Sequence, residues 1–170
     1  MLTTQLPDSV LAVFRDFRTC EFSTLSKSGA PVTWPTLPFL DAQTGKFLVT
    51  TSIGLPEKVF NVRRTPRVSL LFSNPTASGL PEPPIVLVQG DAVAPDEIET
   101  SIAGYEEILQ EVFRRQPASK MYSSNFLTRR LFDWYYMRLR IEVTPGRILW
   151  WEKGDYSRPP QVVEEASHVA

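Results

Sequence analysis

Val10, Val13, Phe14 and Phe17 recur at spacings of three and four. That period places them on one face of a helix opened by Pro7, with Asp8 as its N-cap. Strand-like segments follow. Cys20 to Ser26 reads as a strand, Lys27-Ser28-Gly29-Ala30 as a turn, and Val32 to Leu40 as an extended run. Pro35 and Pro38 are incompatible with a helix there. They also lack N–H donors, so the run cannot pair regularly along both sides. It belongs at a sheet edge, or leaves backbone acceptors free for a ligand. Asp41 to Gly45 turns the chain into a third strand, Lys46 to Ser52. Glu57 to Arg64 is a short basic helix, and Arg67 to Ser73 a fourth strand. Asn74 to Pro84, rich in Pro, Ser and Gly, reads as a mobile loop. Ile85 to Ala94 is the fifth strand, where Gly90 marks a bulge or a close backbone approach.

The pattern then returns to helical spacing. Asp96 reads as a helix start with Glu99 placed for a capping box, and Ile98, Ile102, Tyr105, Leu109 and Val112 form the stripe, ended by Pro117. A second helix fits Asn125 to about Trp134. Tyr135, Met137, Leu139, Ile141 and Val143 then alternate with Tyr136, Arg138, Arg140 and Glu142, a half-buried strand with a charged outer face. Thr144-Pro145-Gly146 reads as a turn into a last strand, Arg147 to Glu152. Trp150 and Trp151 point to opposite faces of that strand, so only one can be core. The expected organisation is one domain over residues 1–153 with a helical insertion at about 96–134, followed by a flexible tail over 154–170. Short turns between most strands favour an antiparallel barrel, mainly β with peripheral helices. A doubly wound nucleotide fold is disfavoured, because neither G-x-G-x-x-G nor G-x-x-x-x-G-K-[ST] occurs.

Composition narrows the function. The net charge of −1 gives no footprint for nucleic acid or an anionic membrane. No apolar run approaches the ~20 residues of a membrane span. MLTTQLPDSV lacks a basic region followed by an apolar core, so a cytoplasmic location is expected. Cys20 is the sole cysteine and His168 the sole histidine, the latter in a polar tail. These exclude an internal disulfide and a thiolate zinc cluster, and argue against Ser-His or Cys-His catalysis and histidine-ligated haem. No metal site is expected and no catalytic side chain stands out. Any chemistry then belongs to a cofactor.

The chemistry-bearing stretch is Val49 to Phe72. Strand-ending hydroxyls, Thr50, Thr51 and Ser52, precede a helix that carries Lys58 near its start. Helix N-termini present free N–H groups and partial positive charge, so the stretch fits a phosphate cradle. Each residue also has a plainer reading. Lys58 on a surface helix would simply be solvated, and Thr50, Thr51 and Ser52 would merely end a strand. Arg63 and Arg64 suit the C-terminal end of the helix dipole, with Pro66 as the stop.

In order along the chain, SKSGAPVTWPTLPFL, KFLVTTS followed by EKVFNVRRTPRVSLLF, VLVQGDAV and RILWW resemble the pyridoxamine 5'-phosphate oxidase-like superfamily, the split β-barrel flavin-binding proteins. The resemblance covers about residues 8 to 152, and the second block is its most specific part. It implies an antiparallel split β-barrel of six to seven strands. It also implies a homodimer with FMN in a cleft at the subunit interface, or a deazaflavin coenzyme in a related branch. The activity it implies is flavin-dependent oxidoreduction of a small-molecule substrate. By similarity, Trp34, Pro35, Thr36 and Leu37 border the ring system, Thr51 and Ser52 approach the ribityl-phosphate, and Lys58 meets the phosphate. Gln89 matches a polar position facing the ring, and Trp150 or Trp151 reaches the partner's cofactor. The chain departs from the pyridoxamine oxidases proper at three places. Trp34 stands where they have arginine, Glu57 where they often have a second basic residue, and the R-x-H-x-R motif is absent. Vitamin B6 phosphate oxidation is therefore not supported, and a flavin-binding dimer without turnover joins the alternatives.

Overall fold

The structure, a computed structural model, describes residues 1–99, 114 and 137–165. After a 3-10 turn at Leu2–Gln5, helix α1 runs Asp8–Asp16. Strands β1 (Cys20–Leu25), β2 (Pro31–Thr36), β3 (Pro38–Leu40) and β4 (Phe47–Ser52) follow, then helix α2 (Glu57–Arg64). The remaining strands are β5 (Arg67–Phe72), β6 (Ile85–Val93), β7 (Ile98–Glu99), β8 (Arg138–Trp151) and β9 (Gln161–Glu164). Among the described residues all strands join one antiparallel sheet along the path β2-β1-β5-β6-β8-β4-β3, with β7 and β9 attached to β8.

The extended proline run explains why the barrel is split. β2 and β3 are separated by Leu37 alone, yet they lie at opposite ends of the strand order. The sheet must therefore curl until its two edges meet at that residue. Pro35 on one edge and Pro38 on the other cannot donate to a ladder, so regular pairing cannot zip the seam shut. This is the edge placement expected from the prolines, divided between two edges.

Alternation sets what fills the barrel. Cys20, Phe22 and Thr24 of β1, Phe47 and Val49 of β4, and Leu70 and Phe72 of β5 are buried at every second position. Helix α1 closes one side with Val10, Val13 and Phe14, and the Phe14 ring lies 4.9 Å from Phe47 and 5.0 Å from Phe72. Asp8 is the first helical residue rather than the cap, which is Pro7. Burial pushes the Cys20 thiol well above its ordinary range, so it behaves as a small apolar residue.

Three sequence expectations are corrected. Thr144-Pro145-Gly146 is not a turn. β8 runs through it as one 14-residue strand. The register against β6 shifts there, with Gln89 opposite Arg147 and Gly90 opposite Pro145, leaving Gly146 as the extra residue of a bulge. One extra residue reverses the facing, so the buried positions pass from Leu139, Ile141 and Val143 to Ile148 and Trp150. Second, no helix starts at Asp96. Ile98 and Glu99 pair with Leu139 and Arg138 as β7, because β8 extends past the end of β6 and offers an open edge. The rest of the expected stripe, Ile102 to Val112, the helix at Asn125 to Trp134, Tyr135, Tyr136 and His168 lie outside the described residues. Third, the segment expected as a flexible tail, 154–170, contains β9, paired with β8 from Arg147 to Trp150. Four residues are too short a strand to register as a period.

Helix α2 is tied to the barrel by a buried polar bridge. Asn61, 1% exposed, donates through Nδ2 to Thr24 Oγ1 on β1 at 3.0 Å and accepts from Arg64. Asn61→Ala strips both partners, and a buried group left without its bond costs about 1–3 kcal/mol. The expected result is a lowered urea midpoint with an unchanged denaturant slope.

Candidate functional site

Strand β4 ends at Ser52, and a tight connection carries the chain into α2. Leu55 N–H donates to the Ser52 carbonyl at 2.9 Å, and Thr51 Oγ1 donates to the Leu55 carbonyl at 3.1 Å. The Ser52 hydroxyl accepts from Gly54 N–H at 3.3 Å. These bonds leave the two hydroxyls in different states. Thr51 has committed its proton to shaping the turn. Ser52 retains an O–H to donate.

The first turn of α2 sorts its charges by burial. Glu57 is exposed, whereas Lys58 is only 8% exposed. The Lys58 ammonium sits 5.1 Å from the centroid of the Trp34 ring on β2. Among the described residues neither Lys58 nor Glu57 forms an ion pair. Burial lowers the Lys58 pKa from its ordinary value of 10.5, and the nearby Glu57 charge partly opposes the shift. A lysine that loses its proton more readily folded than unfolded destabilises the fold while charged. Stability then rises as pH climbs from the folded pKa toward 10.5. Urea unfolding from pH 7 upward is expected to show Lys58→Met more stable than wild type at neutral pH, with the gap closing as pH rises.

The arginines that follow are structural. Arg63 donates to the carbonyls of Ala94 and Pro95 and pairs with Asp96 at 2.7 Å, clasping the end of β6. Arg64 bonds Asn61 and lines an open groove with Lys27, Glu57 and Phe60.

Strand register places the remaining expected site residues. Directly opposed residues project to the same face. Trp34 opposes Phe22, which is fully buried, so Trp34 sits on the inner face at the β2 edge. Thr36 is also buried there, its hydroxyl bonded to the Trp34 carbonyl at 3.2 Å, while Pro35 is exposed and Leu37 spans the split. Gln89 is exposed on the outer face of β6, between Ser69 and Arg147. Trp150 is core, its indole N–H bonded to Glu152 at 2.9 Å. Trp151 faces out, 5.4 Å from the Tyr156 ring. The fold thus brings Trp34 and Lys58 together, while Ser52 ends the strand that leads into α2. It places Gln89 and Trp151 on the other face of the sheet. Sequence reasoning missed Arg138, which lies directly opposite Ser52 in the β4–β8 ladder. It reads as one of several charges on an outer strand face, and only the strand register singles it out.

A curled antiparallel sheet, split where β2 passes to β3, with a short helix between β4 and β5, defines a split β-barrel. No protein-family model matches the chain, and no curated protein matches its sequence. Solved structures do. A Clostridium acetobutylicum protein related to general stress protein 26, of the pyridoxinephosphate oxidase family, superposes with a TM-score of 0.60 at 11% identity, over 92% of each chain. General stress protein 26 from Bacillus anthracis gives 0.57 at 13% identity, over 93% of this chain and 97% of that one. A heme binding protein from Mycobacterium smegmatis gives 0.53 at 17% identity, over 94% of this chain and 59% of that one. At these identities the likeness establishes the fold. Among the described residues no helix is long and apolar enough to cross a membrane, and no three His, Cys, Asp or Glu side chains gather as for a metal.

Proposed function

We propose that the chain binds FMN at the interface of a homodimer and acts as a flavin-dependent oxidoreductase on a small molecule. The observation that carries this reading is Lys58 at the first turn of α2, a largely buried side chain whose ammonium has no carboxylate partner among the described residues. Burying an uncompensated cation is costly, and an anion that arrives with the ligand relieves that cost. In this reading Lys58 holds the phosphate, the Ser52 hydroxyl donates to it, and Thr51 keeps the turn in shape. The β2 edge from Trp34 to Leu37 borders the ring system. FMN supplies hydride or electron transfer at its N5 position. Residues on the outer face, Gln89 and Trp151, reach a cofactor held near Lys58 only if they come from a second copy, which favours the dimer. A lone buried thiol such as Cys20 stays reduced in the cytoplasm, the location that goes with this reading.

A deazaflavin coenzyme on the same barrel is the second reading. Trp34 favours it, because it replaces a cation with an aromatic beside the phosphate. Purified protein tested by visible spectroscopy and by parallel titration with the two cofactors separates them. Oxidised-flavin bands support FMN, and failure to bind either cofactor refutes both readings. A Soret band would point to haem instead. Bound flavin that nicotinamide nucleotides cannot reduce would leave a cofactor-holding dimer without turnover. Affinity for FMN is expected to fall as pH rises through the lowered Lys58 pKa, since the deprotonated amine no longer attracts phosphate.

A further inference from the structure

A cation carried on a largely buried side chain ordinarily rests against a carboxylate. Glu57 adjoins Lys58 in sequence but is exposed and forms no ion pair among the described residues. The Trp34 ring occupies the place a counter-ion would take, with its centroid 5.1 Å from the ammonium. We propose that Trp34 is a positioning residue for Lys58: its indole face holds the ammonium in the phosphate-binding position without neutralising it. The proposal rests on the flavin-phosphate reading of Lys58 and gives Trp34 a task beyond bordering the ring system.

An aromatic face attracts a cation through its quadrupole but carries no net charge. The held ammonium therefore keeps its full charge for an incoming anion. A carboxylate in the same place would cancel that charge and would have to be displaced. The indole also covers one side of the ammonium, and excluding water strengthens its attraction to an anion on the other side.

Both partners are braced through one strand. Trp34 pairs with β1 at Phe22, and the Thr36 hydroxyl bonds its carbonyl. Lys58 rides on α2, whose Asn61 bonds β1 at Thr24. The indole and the ammonium are thus set against each other by β1, with little freedom for either to drift. The arginine that the related oxidases carry at the Trp34 position would add a second charge. This chain instead aims a single one.

The test compares wild type with Trp34→Leu and Trp34→Phe by two readouts. The first is the NMR shift of the Lys58 ε-protons in protein labelled at lysine, without ligand. Protons over an indole face resonate upfield, so the signal is expected upfield in wild type, partly so in Trp34→Phe, and at its ordinary position in Trp34→Leu. The second is the ratio of the riboflavin Kd to the FMN Kd, which isolates the phosphate. That ratio is expected to fall about tenfold in Trp34→Leu, or about 1.4 kcal/mol, and less in Trp34→Phe, over and above any loss of ring contact that riboflavin and FMN share. Equal weakening of both ligands would mean that Trp34 stacks on the ring or supports the fold, and would overturn the proposal. An ordinary Lys58 signal in wild type would overturn it too. If neither flavin binds wild type, the flavin reading fails separately and inorganic phosphate replaces it as the probe. A phosphate-induced shift of the Lys58 signal that weakens in Trp34→Leu then supports the holding role, and no response in wild type overturns it. Should Trp34→Leu misfold, Trp34→Phe carries both readouts.

Discussion

Gly90→Ala is expected to lower the stability of the protein by about 3 kcal/mol or more, at the upper end of what overpacking a filled interior costs. A Cβ at position 90 would stand 2.1 Å from the Thr144 carbonyl oxygen and 3.1 Å from the Pro145 Cα. These are backbone atoms of β8, which the ladders to β4 and β6 hold in place. No side chain can swing aside. Accommodation requires prying β6 from β8 at the bulge, where the change of phase brings Ile148 and Trp150 to the interior. The neighbouring glycine gives the control. A Cβ at Gly146 meets nothing nearer than the Gln89 carbonyl at 3.9 Å, an ordinary contact. Gly146→Ala should therefore stay within about 1 kcal/mol of wild type, the usual range for a site with no clash. Urea unfolding of both variants decides it. Two equally mild variants would contradict the bulge geometry.

Lys58→Met is expected to weaken FMN binding by roughly 10- to 100-fold, since a hydrogen bond to a charged group contributes about 1.5–3 kcal/mol. Riboflavin, which lacks the phosphate, should bind the variant almost as it binds wild type. Methionine keeps the aliphatic stem and removes only the ammonium, so packing in the first turn of α2 is preserved. The same variant is expected to be more stable than wild type without ligand, because burial of the unpaired charge is relieved. Opposite signs for affinity and stability are the signature of a charge kept for binding. A loss of stability together with equal loss of both flavins would mean that Lys58 serves the fold. Fluorescence titration with each flavin, beside urea unfolding, reads both signs.

Much of the fold was legible because its signals are local. Pro56 and the Thr65-Pro66 corner bracket α2, and its expected limits coincide with the observed Glu57–Arg64. Runs between turn signals marked the strands through β6, except that β2 and β3 read as one extended run, and Gly90 was readable as a bulge or close approach. The misreadings came where local chemistry fits two structures. Thr144-Pro145-Gly146 suits a turn, but a long antiparallel partner absorbs the same residues as a bulge. Asp96 and Glu99 have the spacing of a capping box, yet the open edge of β8 claims Ile98 and Glu99. Pairing with a distant strand leaves no trace in such short segments, and β9 escaped for that reason.

The site was legible as a set of residue types and not as an arrangement. Lys58, Thr51 and Ser52 were named as candidates from their position around a helix start. That Thr51 spends its hydroxyl on Leu55, while Ser52 keeps a donor, depends on turn geometry that sequence does not carry. Glu57 seemed to spoil the phosphate position, but it is exposed while Lys58 is buried. The Lys58–Trp34 contact joins two elements that meet only once the sheet curls, so the residues could be named separately but not paired.

A crystal structure of the protein with FMN tests most directly whether Lys58 holds the phosphate of a bound flavin. The expected result is FMN between two copies, its phosphate within about 2.7–2.9 Å of Lys58 Nζ, as for a charge-assisted hydrogen bond. The Ser52 hydroxyl should donate to the same group. FMN bound with its phosphate away from Lys58, or no FMN at saturating concentration, would contradict it.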